Sequence, residues 1–207
     1  MAWPEKWDDW GHLGDFLTGV SALCALIVAS GFWKNKKLNE KELINNKFVK
    51  ETANDAIDLV NKGRIAINYI RSPAVYQRET KDAKESIKEI NKLNTDRLRP
   101  EVPESRDHYM AQTMRLSEAR GNTFMKIQSL IPKFRIVFGT DKPFMELLEI
   151  VRKIDIALYM ALYHGDTTEN YEEIYYMGPD DKTDKRMQEI ITEVENLCRP
   201  KLLLKDD

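Results

Sequence analysis

The chain has 207 residues, which is enough for one globular domain of ordinary size and an additional segment. Its composition, 42% hydrophobic and 32% charged, excludes a wholly disordered protein, and nine glycines and eight prolines are too few for a turn-rich β-sandwich or barrel. The 34 acidic and 32 basic residues nearly cancel, so we expect no nucleic-acid partner. Together these properties favour an all-α protein.

The first element is an uncharged apolar segment at residues 16–33, with the sequence FLTGVSALCALIVASGFW. Its eighteen residues make about 27 Å of helix, which just spans the hydrocarbon core of a bilayer. It has no polar side and is flanked by tryptophans, which favours a transmembrane helix over a helix buried in a soluble core. Burial of the helix in the core of an oligomer is an alternative that the sequence leaves open. We therefore predict a tail and membrane anchor at residues 1–33. The residues predicted to span the membrane are Phe16, Leu17, Val20, Leu23, Leu26, Ile27, Val28 and Phe32.

The charges on either side of this segment predict its orientation. Residues 1–15 contain one lysine and four acidic residues, whereas residues 34–50 contain six lysines and two acidic residues. The positive-inside rule then predicts a single-pass protein of the cell membrane, with its N-terminus outside and the remainder in the cytoplasm. Candidates for contact with lipid headgroups are Trp10, Trp33, Lys34, Lys36 and Lys37, although a topology signal alone also accounts for the lysines.

Small residues inside the segment form a possible contact surface between helices. Ser21, Ala25 and Ala29 are spaced four apart, a pattern that allows two helix backbones to approach closely. Because half of the segment consists of small residues, such a row also arises by chance. It is a candidate site for self-association in the membrane.

Residues 34–72 are predicted to form a stalk helix. No proline occurs between Pro4 and Pro73, so a helix can continue from the membrane to about residue 71. The first half is polar on all sides. From Phe48 onward apolar residues recur at helical spacing, so the second half should pack into the domain that follows.

Residues 73–207 are predicted to form a cytoplasmic helical domain, which makes the whole a stalked bundle of about five helices. Helices are expected at residues 80–93, 105–131 with continuation beyond Pro132, 141–165 and 183–198. Gly121 should interrupt the second of these or permit close packing, Met114 should face the core, and Pro200 should end the last helix. The strongest pattern is the third, with Asp141 as N-cap, Pro143 in the first turn and Gly165 at the end.

No motif points to a specific reaction. The three histidines His12, His108 and His164 are dispersed, and the sequence lacks metal-binding, phosphate-binding and nucleophile motifs, so no metal or cofactor is expected. Asp155 lies on the apolar side of the strongest helix and should pair with a basic residue. His164 and Asp166 are weak candidates for a polar pocket at the end of that helix, where His164 would also suit the negative helix terminus.

These features predict a membrane-anchored helical interaction or oligomerisation module without enzymatic activity. Its partners would be the lipid bilayer and either a second copy of the chain or a cytoplasmic protein. An alternative is a membrane-disrupting effector or toxin of a bacterial abortive-infection defence system, which acts through self-association of the transmembrane helix. An enzyme with an unfamiliar site near Asp155 or His164 is the least favoured interpretation.

Overall fold

The structure, a computed structural model, describes residues 45–94, 100–165, 172–176, 178 and 180–203. Every regular element in these residues is helical and none is a strand, so the predicted all-α class is confirmed for this part of the chain. The predicted transmembrane helix at residues 16–33 lies outside the described residues. None of the helices in the described part is long and apolar enough to cross a bilayer.

The described residues contain six α-helices, and those from Val49 onward belong to one compact unit. The helices are α1, described over residues 45–70, α2 at Gln77–Leu93, α3 at Asp107–Ala119, α4 at Met125–Phe138, α5 at Lys142–His164 and α6 at Lys182–Leu202. A π-helical turn, Arg120–Phe124, joins α3 to α4, a 3₁₀ turn at Glu104–Arg106 precedes α3, and residues 172–174 form a single helical turn.

The core of the unit surrounds α5. Buried side chains of α5 include Phe144, Leu147, Val151, Ile154 and Leu158, and every other helix contributes buried apolar residues to the same cluster. The buried apolar residues of α1 are Ala53, Ala56, Val60, Ile67 and Ile70. The second half of α1 thus has the partner surface that its apolar pattern required.

Gly63 lets α1 approach α4 and α5 closely. A Cβ atom at this position would lie 3.1 Å from Leu147 Cδ1 and 3.3 Å from Ile127 Cδ1. Those distances are shorter than ordinary van der Waals contacts, so even an alanine here would require the ends of the Leu147 and Ile127 side chains to shift by a few tenths of an ångström.

The π-helical turn explains how the predicted helix at residues 105–131 is interrupted. Leu116 and Phe124 are both buried, but none of the seven residues between them is. Two turns of α-helix contain about seven residues, and the π turn accommodates one more, which returns the apolar face to the core at Phe124. A Cβ atom added at Gly121 would meet no neighbouring element within 4 Å. Gly121 is therefore part of the interruption and does not serve close packing.

Three local predictions need correction. Met114 is 36% exposed and its sulfur accepts a hydrogen bond from Ser86, because it lies at the edge of the core. Asp141 is the N-cap residue of α5, as predicted, but its carboxylate pairs with Arg135 and makes no capping hydrogen bond. Pro200 does not end α6, which continues for two more residues to Leu202.

A buried ion pair joins three segments at one end of the unit. Arg71, just after α1, and Asp181, at the N-cap of α6, have side chains that are 0% and 1% exposed, with both carboxylate oxygens 2.8 Å from the guanidinium. The guanidinium also donates to the carbonyls of Glu172, Glu173 and Tyr175, at 2.5 to 2.9 Å. Asp181 in turn accepts from the backbone N–H of Asp184 in the first turn of α6. The pair therefore fixes the end of α1 against residues 172–175 and the start of α6.

We predict that Arg71→Met lowers the free energy of unfolding by about 3–5 kcal/mol, because it leaves the Asp181 carboxylate and three carbonyls buried without their donor. The control is Arg64→Met, which breaks a bidentate pair with Asp184 whose arginine is 34% exposed, and which should cost about 1 kcal/mol or less. Equilibrium denaturation measures both values. Equal losses in the two variants would contradict a special role for the buried pair.

Candidate functional site

A second arginine, Arg115 on α3, is surrounded by the segment that connects α1 to α2. Its side chain is 3% exposed and donates to both carboxylate oxygens of Glu79, at 2.8 and 2.7 Å. It also donates to the carbonyls of Tyr69, Ser72 and Ala74, and its guanidinium carbon lies 4.4 Å from the centre of the Tyr69 ring. These contacts attach α3 to residues 69–79.

The hydrogen bonds from Arg115 hold the pKa of the Glu79 carboxyl at about 2, well below its ordinary value, with help from the Tyr76 N–H and the Tyr69 hydroxyl. The hydrogen bond that the Tyr69 hydroxyl donates to Glu79 raises the pKa of Tyr69. All five N–H groups of Arg115 have a protein acceptor, and the Arg71 guanidinium is also surrounded by carbonyl and carboxylate oxygens. Both clusters therefore stabilise the fold, and Arg115 has no free donor for a ligand.

Two of the weak pocket candidates, Asp155 and His164, lie far apart, whereas the pocket predicted at His164 and Asp166 stays a prediction because it falls partly outside the described residues. Asp155 pairs with Arg120 at 2.6 Å, the kind of ion pair expected for it, and its side chain is 41% exposed. His164 is exposed at the last position of α5, nine residues further on and therefore about 13 Å away along the helix axis. Asp166 lies outside the described residues, as do the predicted lipid-contacting and helix-association residues of the N-terminal segment.

A groove of about 600 Å³ lies between two walls, one formed by the π-helical turn and the start of α4 and the other by the first half of α5. Met125 and Met145 in its walls are 63% and 51% exposed. Two ion pairs, Arg120–Asp155 and Arg152–Glu149, border it. The lining residues are Arg120, Phe124, Met125, Gln128, Met145, Leu148, Glu149, Val151 and Arg152.

The local sequence explains why this groove is apolar. The π turn returns Phe124 to the core, and the next residue, Met125, consequently points to solvent. On the other wall, α5 is apolar on two sides: Leu147 and Val151 pack inward, while Met145, Ile156, Tyr159 and Met160 are 37 to 51% exposed. An amphipathic surface helix would have polar residues on that outer side. The sequence signal for this groove is that α5 has more apolar residues than its buried face needs.

Other groups offer little for chemistry. Within the described ranges, no set of three or more His, Cys, Asp or Glu side chains is placed to hold a metal ion. Cys198 is completely buried in α6, and this burial raises the pKa of its thiol to about 12, so the thiol stays protonated at neutral pH.

No protein-family model matches the chain, no curated protein matches it, and no solved structure matches its fold.

The Glu79–Arg115 pair predicts a pH-dependent contribution to stability. The pKa of Glu79 is lower in the folded chain than its ordinary value of 4.5, so the stabilisation is complete above about pH 4.5 and is lost as the pH falls towards 2. Because the carboxylate is partly solvated, we expect Glu79→Gln to lower the free energy of unfolding at pH 6 by only about 1–2 kcal/mol, and to have roughly a quarter of that effect near pH 2.5.

Denaturation at a series of pH values measures this difference. The control is Glu118→Gln on α3, since Glu118 makes no hydrogen bond or ion pair with any residue that the structure describes, and it should follow the wild-type profile. A Glu79→Gln effect that is constant from pH 6 to 2.5 would contradict the prediction.

Proposed function

We propose that the chain is a membrane-anchored helical interaction module without enzymatic activity. The apolar N-terminal segment holds it in the cell membrane, and the helical unit presents a contact surface in the cytoplasm. The observation that carries this proposal is the open groove in which Met125 and Met145 are more than half exposed.

Several properties of the groove support a protein-binding role. Methionine side chains are flexible and polarisable, and they occur often on surfaces that adapt to a partner. Contiguous apolar patches on a protein surface commonly mark interaction sites, and π turns inside helices are frequent at functional sites. The ion pairs Arg120–Asp155 and Arg152–Glu149 at the border would favour one orientation of a partner.

The anchor is supported by the sequence alone. The segment at residues 16–33 is uncharged and has tryptophans on both sides, and the stretch that follows it is rich in lysine whereas the stretch before it is acidic. Its eight strongly apolar residues contribute roughly 2–5 kcal/mol towards insertion, so the anchor is marginal and should be sensitive to added charge.

A membrane effector is a second candidate, favoured by the small-residue row Ser21, Ala25 and Ala29 together with the marginal hydrophobicity of the span. In this role, self-association of the span would disturb the bilayer as part of a bacterial defence response. The membrane potential of overexpressing cells separates the candidates. If overexpression of the wild-type chain depolarises the membrane and the Ala25→Leu/Ala29→Leu variant does not, the effector is favoured. If the wild-type chain leaves the membrane potential unchanged, the module is favoured.

We predict that the groove contacts a protein at the membrane. A photoreactive amino acid in place of Met145, in the full chain in living cells, should give a discrete cross-linked product larger than the monomer. The same amino acid in place of Gln188, an exposed residue of α6, should not. Identical patterns at the two positions would rule out the groove as the contact surface.

We further predict that Leu23→Lys/Ile27→Lys releases the full chain from the membrane. Each lysine in the middle of a span costs about 2.5–3.5 kcal/mol, and two together exceed the gain from the apolar residues. The control, Ile65→Lys/Ile136→Lys, adds the same charges at positions that are 69% and 78% exposed, and it should stay membrane-bound. Carbonate washing of isolated membranes measures retention. If washing extracts the wild-type chain, the segment is not a membrane anchor.

A further inference from the structure

The outer side of α5 carries a continuous exposed surface, here called the α5 face. At 100° per residue its members lie within about one third of the helix circumference, opposite the side that packs into the core. The apolar members are 37 to 51% exposed, and the side chains of Glu149 and Arg152 are 46% and 65% exposed. The α5 face consists of Met145, Glu149, Arg152, Ile156, Tyr159 and Met160.

The order of residues along this face makes it complementary to itself. Met145 lies at one end, Glu149 follows, then Arg152 with the exposed Lys153 beside it, and three apolar residues lie at the other end. Two copies of the helix that run antiparallel, with a two-fold axis near residue 151, bring Glu149 of each opposite Arg152 and Lys153 of the other. The same register places Met145 opposite Ile156 and Tyr159 of the copy.

We propose that the partner of this surface is a second copy of the chain, docked antiparallel through the α5 face. This proposal rests on the proposed function and names its partner. The contact exchanges the Glu149–Arg152 pair within each chain for the same pair between chains, so no charge loses its partner. It also removes from water the exposed apolar residues at both ends of the face. An unrelated partner of one charge sign would leave either the acid or the bases unpaired.

The size of the contact explains why the anchor matters. The face is about 22 Å long, and with a helix diameter of about 10–12 Å it covers on the order of 250 Å² per chain. Stable complexes bury about 800 Å² per partner, so this contact alone is weak. Two chains confined to one membrane have a high effective concentration, and the exposed Met125 beside the face extends the contact. Dimerisation then depends on tethering.

Disulfide cross-linking in native membranes tests the register. Full-length chains with Cys24→Ala carry either Met145→Cys or Ile156→Cys, and the buried Cys198 is left in place. With the two-fold axis near residue 151, position 145 of one chain and position 156 of the other are offset by no more than about 2 Å along the helix direction. Each position lies about 15–18 Å from its own copy. A disulfide needs Cα atoms within about 7 Å.

We therefore expect a cross-linked dimer when the two variants are co-expressed, several-fold more abundant than with either variant alone. Gln188→Cys on α6 is the control for random collision, and it should give only the background. Adding Glu149→Arg to both chains should reduce the mixed product several-fold, and adding Arg152→Glu/Lys153→Glu as well should restore it. Cross-linking of the mixture at the background level would overturn the proposal.

The mass of the photocross-linked product at Met145 separates this proposal from the proposed function. A product of twice the chain mass supports the dimer. A product of another mass, without the mixed disulfide, overturns the dimer and leaves the interaction module intact. If position 145 gives no product above the monomer, both proposals fall.

Discussion

The fold depends on the removal of one guanidinium from water. A fully buried charge is tolerated only when its hydrogen-bonding groups have partners, so Arg71 requires the Asp181 carboxylate and the carbonyls of residues 172, 173 and 175 to converge on it. Those groups lie about a hundred positions after Arg71 in the chain. Their convergence fixes where α1 ends and α6 begins, and the two helices enclose α5 from fixed positions.

The polar chemistry of the described unit is largely used for this purpose. Arg115 repeats the arrangement on a second side, with Glu79 as its carboxylate and three carbonyls of the α1–α2 connection as further acceptors. Residues of this type are often found in active sites, but here their donors are used within the fold. The unit also exposes apolar residues, namely Met125 in the groove and those on the outer side of α5. A contact surface follows from this division more directly than a reaction does.

The elements with strong local signals could be predicted from the sequence. Pro143 and Gly165 delimit α5 as expected, and the periodic apolar residues of α6 are buried. The Arg71–Asp181 pair could not be predicted, because nothing near either residue indicates a partner 110 positions away. The groove was missed for a similar reason, since Gly121 signals an interruption but not that the extra residue turns Met125 outward beside α5. At Pro200 the error is the opposite one, because the rule that proline ends a helix placed the end of α6 two residues too early.

If the chain is anchored in the membrane as proposed, the small exposed apolar side of α5 is sufficient for docking. A chain that diffuses freely gains little from a surface too small to hold a partner, and bears the risk of aggregation. Confinement to one plane, with one orientation, raises the local concentration of that surface and restricts which faces can meet, so a short and rigid helix is sufficient. The buried arginines then contribute indirectly, because they keep α5 fixed within the unit. A flexible α5 would lose more conformational entropy on docking than so small a contact can compensate.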